Sequence, residues 1–202
     1  MPVDAAEYAA ALRTYAAGVV LLTVREDIDD VGTTVTSLMS VSAEPPLVAI
    51  GLAADGYPAE VLQSVGAGAV NVLGAGSAIL ASRFSSAGRP SARHLLESVP
   101  WRRAPVSDAI ALDGALAALD CRVSSVVEAG SHVLVLLSVE AVPVLAADQF
   151  ALHEDGAQAA PDGDVGDVLP GRTGAQDDDV VRLLRVCLLR VCHPAILAVV
   201  LH

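Results

Sequence analysis

The chain has 202 residues, a length that suits one domain built around a single hydrophobic core. Its 24 acidic residues outnumber 12 basic ones, all arginine, and the net charge of −12 argues against nucleic-acid binding because phosphate backbones would be repelled. The 53% apolar content excludes disorder over most of the length, and three cysteines are typical of reduced thiols in the cytoplasm rather than of a disulfide framework.

No targeting or membrane segment is expected. The first residues include Asp4 and Glu7, and no basic stretch stands before an apolar run as in a signal peptide. The most apolar window, residues 180–201, is interrupted by three arginines and a proline, whereas a membrane span needs roughly 18–20 uncharged apolar residues. The sequence therefore predicts a soluble, cytoplasmic protein.

Composition divides the chain into three regions. Residues 1–153 alternate apolar strands with short helices and are predicted to form the only folded domain. Residues 154–179 carry eight acids against one arginine, together with prolines and glycines, and are expected to be a solvated, disordered linker. Residues 180–202 contain a tandem Leu-Leu-Arg-Val-Cys repeat. They are compatible with a helix that packs on the domain or on a partner, and equally with appended out-of-frame sequence.

The first quarter of the chain predicts one helix followed by strands. Asp4 can cap a helix that runs to about Tyr15, because its carboxylate can accept the free amide hydrogens of the first turn. An apolar strand is predicted over 19–25, followed by an acidic turn. Residues 31–42 are rich in threonine, valine and serine and therefore strand-like or extended. A break is expected at Pro45-Pro46, since proline cannot sit inside a ladder.

The remaining elements are short and mostly strands. Strands are predicted over 47–52, 69–73, 115–127 and 132–144, helices over 58–64 and 77–84, and a loop over 85–105 with a helical turn around His94. The last two strands are joined at Ala129-Gly130-Ser131, a spacing typical of a hairpin. Such a series predicts a mainly antiparallel sheet or barrel carrying a few helices.

The sequence lacks the common catalytic motifs or contains them only in part. The five histidines lack the spacing of a zinc protease and no Cys-x-x-Cys pair exists, so no metal site is expected. No Gly-x-Ser-x-Gly nucleophile elbow occurs. Gly74-Ala75-Gly76 resembles part of a dinucleotide fingerprint, but its third glycine is missing and a plain turn is the favoured interpretation.

The stretch 31–42 is more informative. Five hydroxyl groups precede Val41 on a segment too apolar for an ordinary loop. Small hydroxyl residues allow a flat polar ligand to approach the backbone and offer it donors and acceptors. A threonine-rich exposed strand would show the same composition, so both interpretations stay open.

Several motifs follow one another in order along about three quarters of the chain. They are Tyr15-Ala16-Ala17-Gly18-Val19, Val31-Gly32-Thr33-Thr34-Val35-Thr36-Ser37, Ser40-Val41-Ser42-Ala43-Glu44-Pro45-Pro46-Leu47-Val48, Ala69-Val70-Asn71-Val72-Leu73, Leu80-Ala81-Ser82-Arg83-Phe84, Val99-Pro100-Trp101, Leu112-Asp113-Gly114-Ala115-Leu116, Leu119-Asp120-Cys121 and Gly130-Ser131-His132. In this order they resemble the motifs of the short-chain flavin reductases, the reductase components of two-component flavin monooxygenases.

This resemblance implies a fold, a reaction and partners. The implied fold is the FMN-binding split β-barrel, antiparallel and of Greek-key type, in a homodimer with its flavin cleft at the subunit interface. The implied reaction is hydride transfer from NADH or NADPH to FMN or FAD, with reduced flavin passed to a partner monooxygenase. The sequence distinguishes neither flavin nor nicotinamide nucleotide. A degenerate barrel that binds flavin weakly and serves as an accessory subunit is the alternative.

The resemblance also implies which residues bind the cofactor. They are Thr34, Val35, Thr36, Ser37, Gly51, Leu52, Asp55, Tyr57, Asn71, Ser82, Arg83 and Phe84. The hydroxyl stretch would line the flavin ring, and the glycine-leucine pair with the turn after it would pass along the ribityl chain. Ser82 and Arg83 would face the phosphate, to which a guanidinium can donate two hydrogen bonds; a solvated charge on a helix is the alternative for Arg83. Asn71 would lie behind the ring or satisfy backbone groups.

His132 is the one residue implied for catalysis. It would sit near the nicotinamide, where it could orient the amide or steady the reduced flavin; the alternative is a satisfied histidine at a strand end. No other protein acid or base is required, because the cofactors supply the chemistry.

The sequence departs from the family pattern at three places, with consequences for the affinity for the flavin phosphate. Asp55-Gly56-Tyr57-Pro58 stands where the family has Ser-x-Thr at a helix start, so a carboxylate and a proline replace hydroxyls that suit a phosphate. Ala17 replaces a threonine. Residues 150–153 keep only a trace of the family's closing strand. Weakened phosphate binding is expected.

Overall fold

The computed structural model describes residues 3–86 and 88–146, which form a curved sheet with helices packed against it. Seven strands are hydrogen-bonded in the order β2-β1-β5-β8-β9-β4-β3, and every pair is antiparallel. The predicted mainly antiparallel β-fold with few helices is confirmed. The predicted boundaries at residues 153 and 179 lie outside the described residues. No helix in the described part of the chain is long and apolar enough to cross a membrane.

The amino-terminal elements follow the predicted order. Helix α1 spans Ala5–Leu12, three residues shorter than predicted. Strand β1 (Val20–Glu26) and strand β2 (Asp29–Val35) form a tight hairpin in which Asp27 adopts a left-handed φ of 45°. The acidic turn is thus shorter than expected, because β2 already begins at its acidic residues.

The stretch 31–42, predicted as one extended segment, contains the end of β2 and a separate strand. Strand β3 (Met39–Ala43) pairs with β4 (Pro46–Ala53) at the opposite end of the seven-stranded order from β2. Residues 36–38 therefore connect the two ends of the sheet and lie where the sheet curves towards closure. Pro46 is the first residue of β4, a position where its missing amide hydrogen costs no ladder bond.

Helices pack against both faces of the sheet. Helix α2 (Tyr57–Val65) packs on one face and leads into β5 (Ala67–Val72), and a 3₁₀ turn (Ala75–Ser77) continues into α3 (Ala78–Ser85) on the other face. Because β5 next pairs with an antiparallel strand, the glycines at 74 and 76 belong to a plain turn and not to a parallel βαβ unit.

The segment predicted as a loop contains regular structure. Helix α4 (Ala92–Leu95) is the expected turn around His94 and packs on the same face as α3. Strands β6 (Trp101–Arg103) and β7 (Ile110–Leu112) pair with each other in a small hairpin that the sequence reasoning missed. Three-residue strands are too short to show an alternating pattern.

The two longest strands close the fold. Strand β8 (Ala117–Ala129) and strand β9 (His132–Leu145) form the predicted hairpin, with Gly130 at a φ of 64° in its turn. Strand β9 also pairs with β4, so His132 lies opposite Ala53.

Two apolar clusters stabilise this arrangement. One lies between the concave face of the curved sheet and α2, and Leu22, Ile50 and Leu137 are among its buried residues. The other lies under α3 and α4, where Phe84 is fully buried. Gly32 on β2 is required there, because a Cβ atom would come within 2.5 Å of the Phe84 ring.

Candidate functional site

A cleft of about 980 Å³ runs along β2. Its walls are residues 31–37, the end of β4, the start of α2, and the segment 88–91, which we call the wall segment. The volume lies at the upper end of the range found for cofactor sites.

Most of the predicted site residues meet in this cleft. Residues 34–37, Gly51 and Leu52 line it, as do Asp55, Tyr57 and His132. Asn71, Ser82, Arg83 and Phe84 are not among the lining residues. Sequence motifs thus located the cleft, although not every motif residue faces it.

Two hydroxyls of the predicted stretch are used to build the cleft. Thr34, which is buried, donates from Oγ1 to the carbonyl oxygen of Ala81 at 2.6 Å and so anchors α3 to β2. Ser37 Oγ donates to the carbonyl oxygen of Gly51 at 3.0 Å and accepts from its amide at 2.8 Å. The half-buried Thr36 hydroxyl has no hydrogen-bond partner among the described residues, so it can serve a ligand.

Arg89 is a functional candidate that the sequence reasoning missed. Its Nε donates to the carbonyl oxygen of Gly32 at 2.6 Å and its Nη1 to that of Ser86 at 2.9 Å. Burial lowers the pKa of this guanidinium from its ordinary value, although arginine remains charged. No carboxylate pairs with it in the described part of the chain, and its remaining N–H groups can bind an anion in the cleft.

Arg83, the arginine selected from the sequence, has different surroundings. It lies exposed in the last turn of α3 and makes no ion pair with the described residues. Arg89 stands six residues later in a glycine- and proline-flanked loop, and only its three-dimensional position distinguishes it from other loop arginines.

Asn71 is fully buried and bonds to the backbone of two strands, β1 and β7. Its Nδ2 donates to the carbonyl oxygens of Leu21 and Ile110, both at 3.1 Å, and its Oδ1 accepts from the amide of Leu112 at 2.8 Å. These bonds use the whole amide, in agreement with the backbone-satisfying alternative.

The start of α2 offers few donors to an anion. Gly56 caps the helix without a side chain, Pro58 has no amide hydrogen, and the amides of Ala59 and Glu60 both bond to the carbonyl oxygen of Gly56. Asp55 adds a carboxylate to the same turn. This turn therefore lacks the free amide cluster that usually makes a helix start a phosphate site.

Tyr57 joins the start of α2 to the β1–β2 hairpin. Its hydroxyl donates a hydrogen bond to Glu26, and both residues line the cleft. This hydrogen bond raises the pKa of the phenol above its ordinary value. The contact fixes one rim of the cleft beside Asp55.

His132 stands at the first position of β9, half-buried at the cleft margin. Its Nδ1 lies 3.0 Å from Ser131 Oγ, and its Nε2 has no hydrogen-bond partner among the described residues. The ring can therefore present Nε2 to a ligand while the serine holds its orientation.

Comparisons with known proteins agree with this fold and cleft. The flavin reductase like domain matches residues 12–160 of the chain. An FMN reductase (NADH), RutF, of Methylorubrum extorquens is 39% identical over 144 residues, covering 70% of this chain and 68% of that protein. The reductase component of 4-hydroxyphenylacetate 3-monooxygenase of Thermus thermophilus is 34% identical, covering 65% of this chain and 80% of that protein.

A solved structure extends the agreement to three dimensions. The Streptomyces globisporus C-1027 NADH:FAD oxidoreductase SgcE6, in complex with NAD and FAD fragments, superposes with a TM-score of 0.61 at 29% identity, covering 70% of this chain and 85% of that one. The fold and cleft define a split-barrel protein of the flavin-reductase type. The chain belongs to the flavin reductase-like family.

Proposed function

We propose that this chain is an NAD(P)H-dependent flavin reductase that reduces FMN or FAD by hydride transfer. The relatives support this reaction, since they are named as NADH-dependent reductases of FMN and FAD. The observation that carries the proposal is the cleft, where family motifs from β2, β4 and β9 meet beside Thr36 and Arg89. The non-catalytic alternative gains no support from these names.

The residues of the cleft suit a flavin. A bound flavin accepts a hydride from a reduced nicotinamide, and the protein's task is to align and shield the two. Residues 34–37 and the Gly51-Leu52 pair present backbone and a free hydroxyl to a flat polar ring. The hydrogen bonds of Thr34 and Ser37 hold these segments in place, and His132 would orient the nicotinamide through Nε2.

The phosphate contact is assigned to the wall segment. Arg89 is a half-buried cation without a carboxylate, whereas the turn at Asp55 lacks donors. Arg83 and Ser82 remain candidates from the sequence pattern, and Arg83 is tested below beside Arg89. Asn71 and Phe84 would contribute indirectly, by holding strands and α3 in place behind the cleft.

A homodimer and a partner monooxygenase complete the proposal. Helix α1 buries none of its residues, and Tyr8, Leu12 and Tyr15 are exposed at 57%, 47% and 69%. Met39 on β3 adds exposed apolar surface, and such patches are typical of interfaces. We place the enzyme in the cytoplasm, where reduced cysteines and NAD(P)H occur. Light scattering of the purified chain tests the dimer.

Flavin-dependent oxidation of NADH tests the function. The full chain, purified and shown to be folded by circular dichroism, is mixed with NADH or NADPH and with FMN, FAD or riboflavin. Loss of absorbance at 340 nm only when flavin is added is the expected result. A folded protein that oxidises neither nucleotide above background with any flavin would contradict the proposal.

A further inference from the structure

A buried ion cluster lies at the border of the cleft, and its central residue is among those that line the cleft. Its centre is Asp30 on β2, whose side chain is completely buried. Arg103 binds both carboxylate oxygens, at 2.6 and 2.9 Å, and Arg25 lies 3.2 Å from Oδ2. The Nε of Arg93 lies 2.7 Å from the same oxygen. An unpaired carboxylate at this depth would be very costly, and three arginines offset that cost.

One arm of this cluster reaches the wall segment. Arg93 lies in α4, directly after the wall segment, and it also donates to the carbonyl oxygen of Ile28. Ser91, the last residue of the wall segment, donates to Asp29, and this bond holds the pKa of the Asp29 carboxyl below its ordinary value. The segment is thus attached to the β1–β2 hairpin at its carboxyl end.

The other attachment of the wall segment is Arg89 itself. Its bond to the carbonyl oxygen of Gly32 crosses β2 two residues beyond Asp30. Arg89 is therefore aligned with the cleft only while the chain from Arg89 to Arg93 keeps its path across β2. At the Arg93 end that path is held by the ion pair with Asp30 and by the hydrogen bond to the carbonyl oxygen of Ile28.

We propose that Asp30, acting through Arg93, is a positioning residue that holds the wall segment so that Arg89 faces the flavin phosphate. The inference rests on the proposed function and adds to it the device that keeps the phosphate-binding cation in place. The cluster acts only where the flavin phosphate binds. It therefore affects the affinity for FMN and leaves the binding of the flavin ring unchanged.

Replacing Arg93 tests this inference better than replacing Asp30. Arg93→Met leaves Asp30 paired with Arg25 and Arg103. Asp30→Asn would instead disturb all three arginines at once, although Arg25 and Arg103 would keep Asp108. Arg93→Lys keeps the charge. Arg102→Met is the matched control, because Arg102 makes a comparable ion pair with Asp113 at 2.6 Å on the β6–β7 hairpin, away from the cleft.

The measurement is the Kd of FMN and of riboflavin, which lacks the phosphate, by quenching of flavin fluorescence. Arg93→Met is expected to raise the Kd of FMN about tenfold and to change that of riboflavin less than about twofold. Arg93→Lys is expected to restore part of the loss, and Arg102→Met to change neither. In a protein that already carries Arg89→Ala, Arg93→Met should raise the Kd of FMN by less than about a further twofold, since both substitutions weaken the same contact between Arg89 and the phosphate.

Four results would overturn the inference. They are an unchanged FMN Kd in folded Arg93→Met, an equal loss for riboflavin, an equal loss in Arg102→Met, and full additivity with Arg89→Ala. If Arg93→Met does not fold, Arg93→Gln, which keeps a polar side chain but removes the charge that pairs with Asp30, is measured in the same way and judged by the same results. Wild-type NADH oxidation that depends on flavin, measured first, separates failure of this inference from failure of the proposed function.

Discussion

Arg83 and Arg89 lie six residues apart, and their surroundings give different expectations for flavin binding. Arg89→Ala should raise the Kd of FMN by roughly ten- to hundred-fold, because a charge-assisted hydrogen bond is worth about 1.5–3 kcal/mol. Riboflavin, which has no phosphate, should bind the wild type and Arg89→Ala with the same Kd. Arg83→Ala should change neither Kd appreciably. Fluorescence titration of the two variants decides, and a loss of FMN affinity in Arg83→Ala alone would favour the sequence-based assignment.

Asp55 places a carboxylate at the margin of the cleft without a cationic partner among the described residues. We expect Asp55→Ser to tighten FMN binding, because removing the charge lessens repulsion of the phosphate. The difference in FMN affinity between Asp55→Ser and the wild type should become smaller as the salt concentration rises, since ions screen that repulsion. FMN titrations at low and high ionic strength measure the effect. Unchanged affinity at low salt would place the phosphate away from this turn.

At the scale of elements, Asn71 joins β5 to β1 and β7 through three hydrogen bonds. Asn71→Ala removes the bonds to the buried Leu112 amide and the Leu21 carbonyl. The Ile110 carbonyl keeps its bond from Thr23 at 2.6 Å. Each unsatisfied buried group costs about 1–3 kcal/mol. We therefore expect the free energy of unfolding to fall by about 2–4 kcal/mol. Urea unfolding followed by circular dichroism gives the value.

The same variant separates structure from cofactor binding. Below its unfolding transition, Asn71→Ala should retain wild-type affinity for FMN, because the residue does not line the cleft. A Kd raised tenfold in a folded variant of near wild-type stability would instead support the direct flavin contact that the motif implies.

How well the sequence predicted each element depended on the length of its pattern. The long strands β8 and β9 and the Ala129–Ser131 turn were predicted within a few residues, because alternation and a glycine turn identify a hairpin locally. The break at residues 36–38 was missed. It depends on the contact between Ser37 and Gly51, which are distant in sequence.

The same reasoning explains the site. The motifs located the residues that form the cleft, since those segments carry recognisable small and hydroxyl side chains. They did not reveal that Thr34 is used to anchor α3, nor that Arg89 faces the cleft, because both follow from packing between elements. The ion cluster at Asp30 joins residues up to 73 positions apart and has no local signal.

At the scale of the whole molecule, Cys121 links stability to pH. Cys121 is completely buried within the apolar interior of the sheet, and burial raises the pKa of its thiol to about 12 from an ordinary 9.0. The folded state therefore keeps its proton where the unfolded state loses it. This contribution to stability is complete below about pH 9 and is lost as the pH rises towards 12.

We accordingly expect wild-type stability to fall more steeply in alkali than that of Cys121→Ala. The variant should be less stable at pH 8 because of the cavity left in the core, by about 1–2 kcal/mol. Between about pH 9 and 11 the wild type should lose roughly 2–3 kcal/mol that the variant does not, since one pKa unit corresponds to about 1.4 kcal/mol. The midpoints of urea unfolding, measured across this pH range, give the stability of each protein as a function of pH. Other groups titrate in both proteins alike, so their contributions cancel when the two stabilities are subtracted. Parallel curves would mean that the thiolate is as well accommodated in the folded interior as in the unfolded chain.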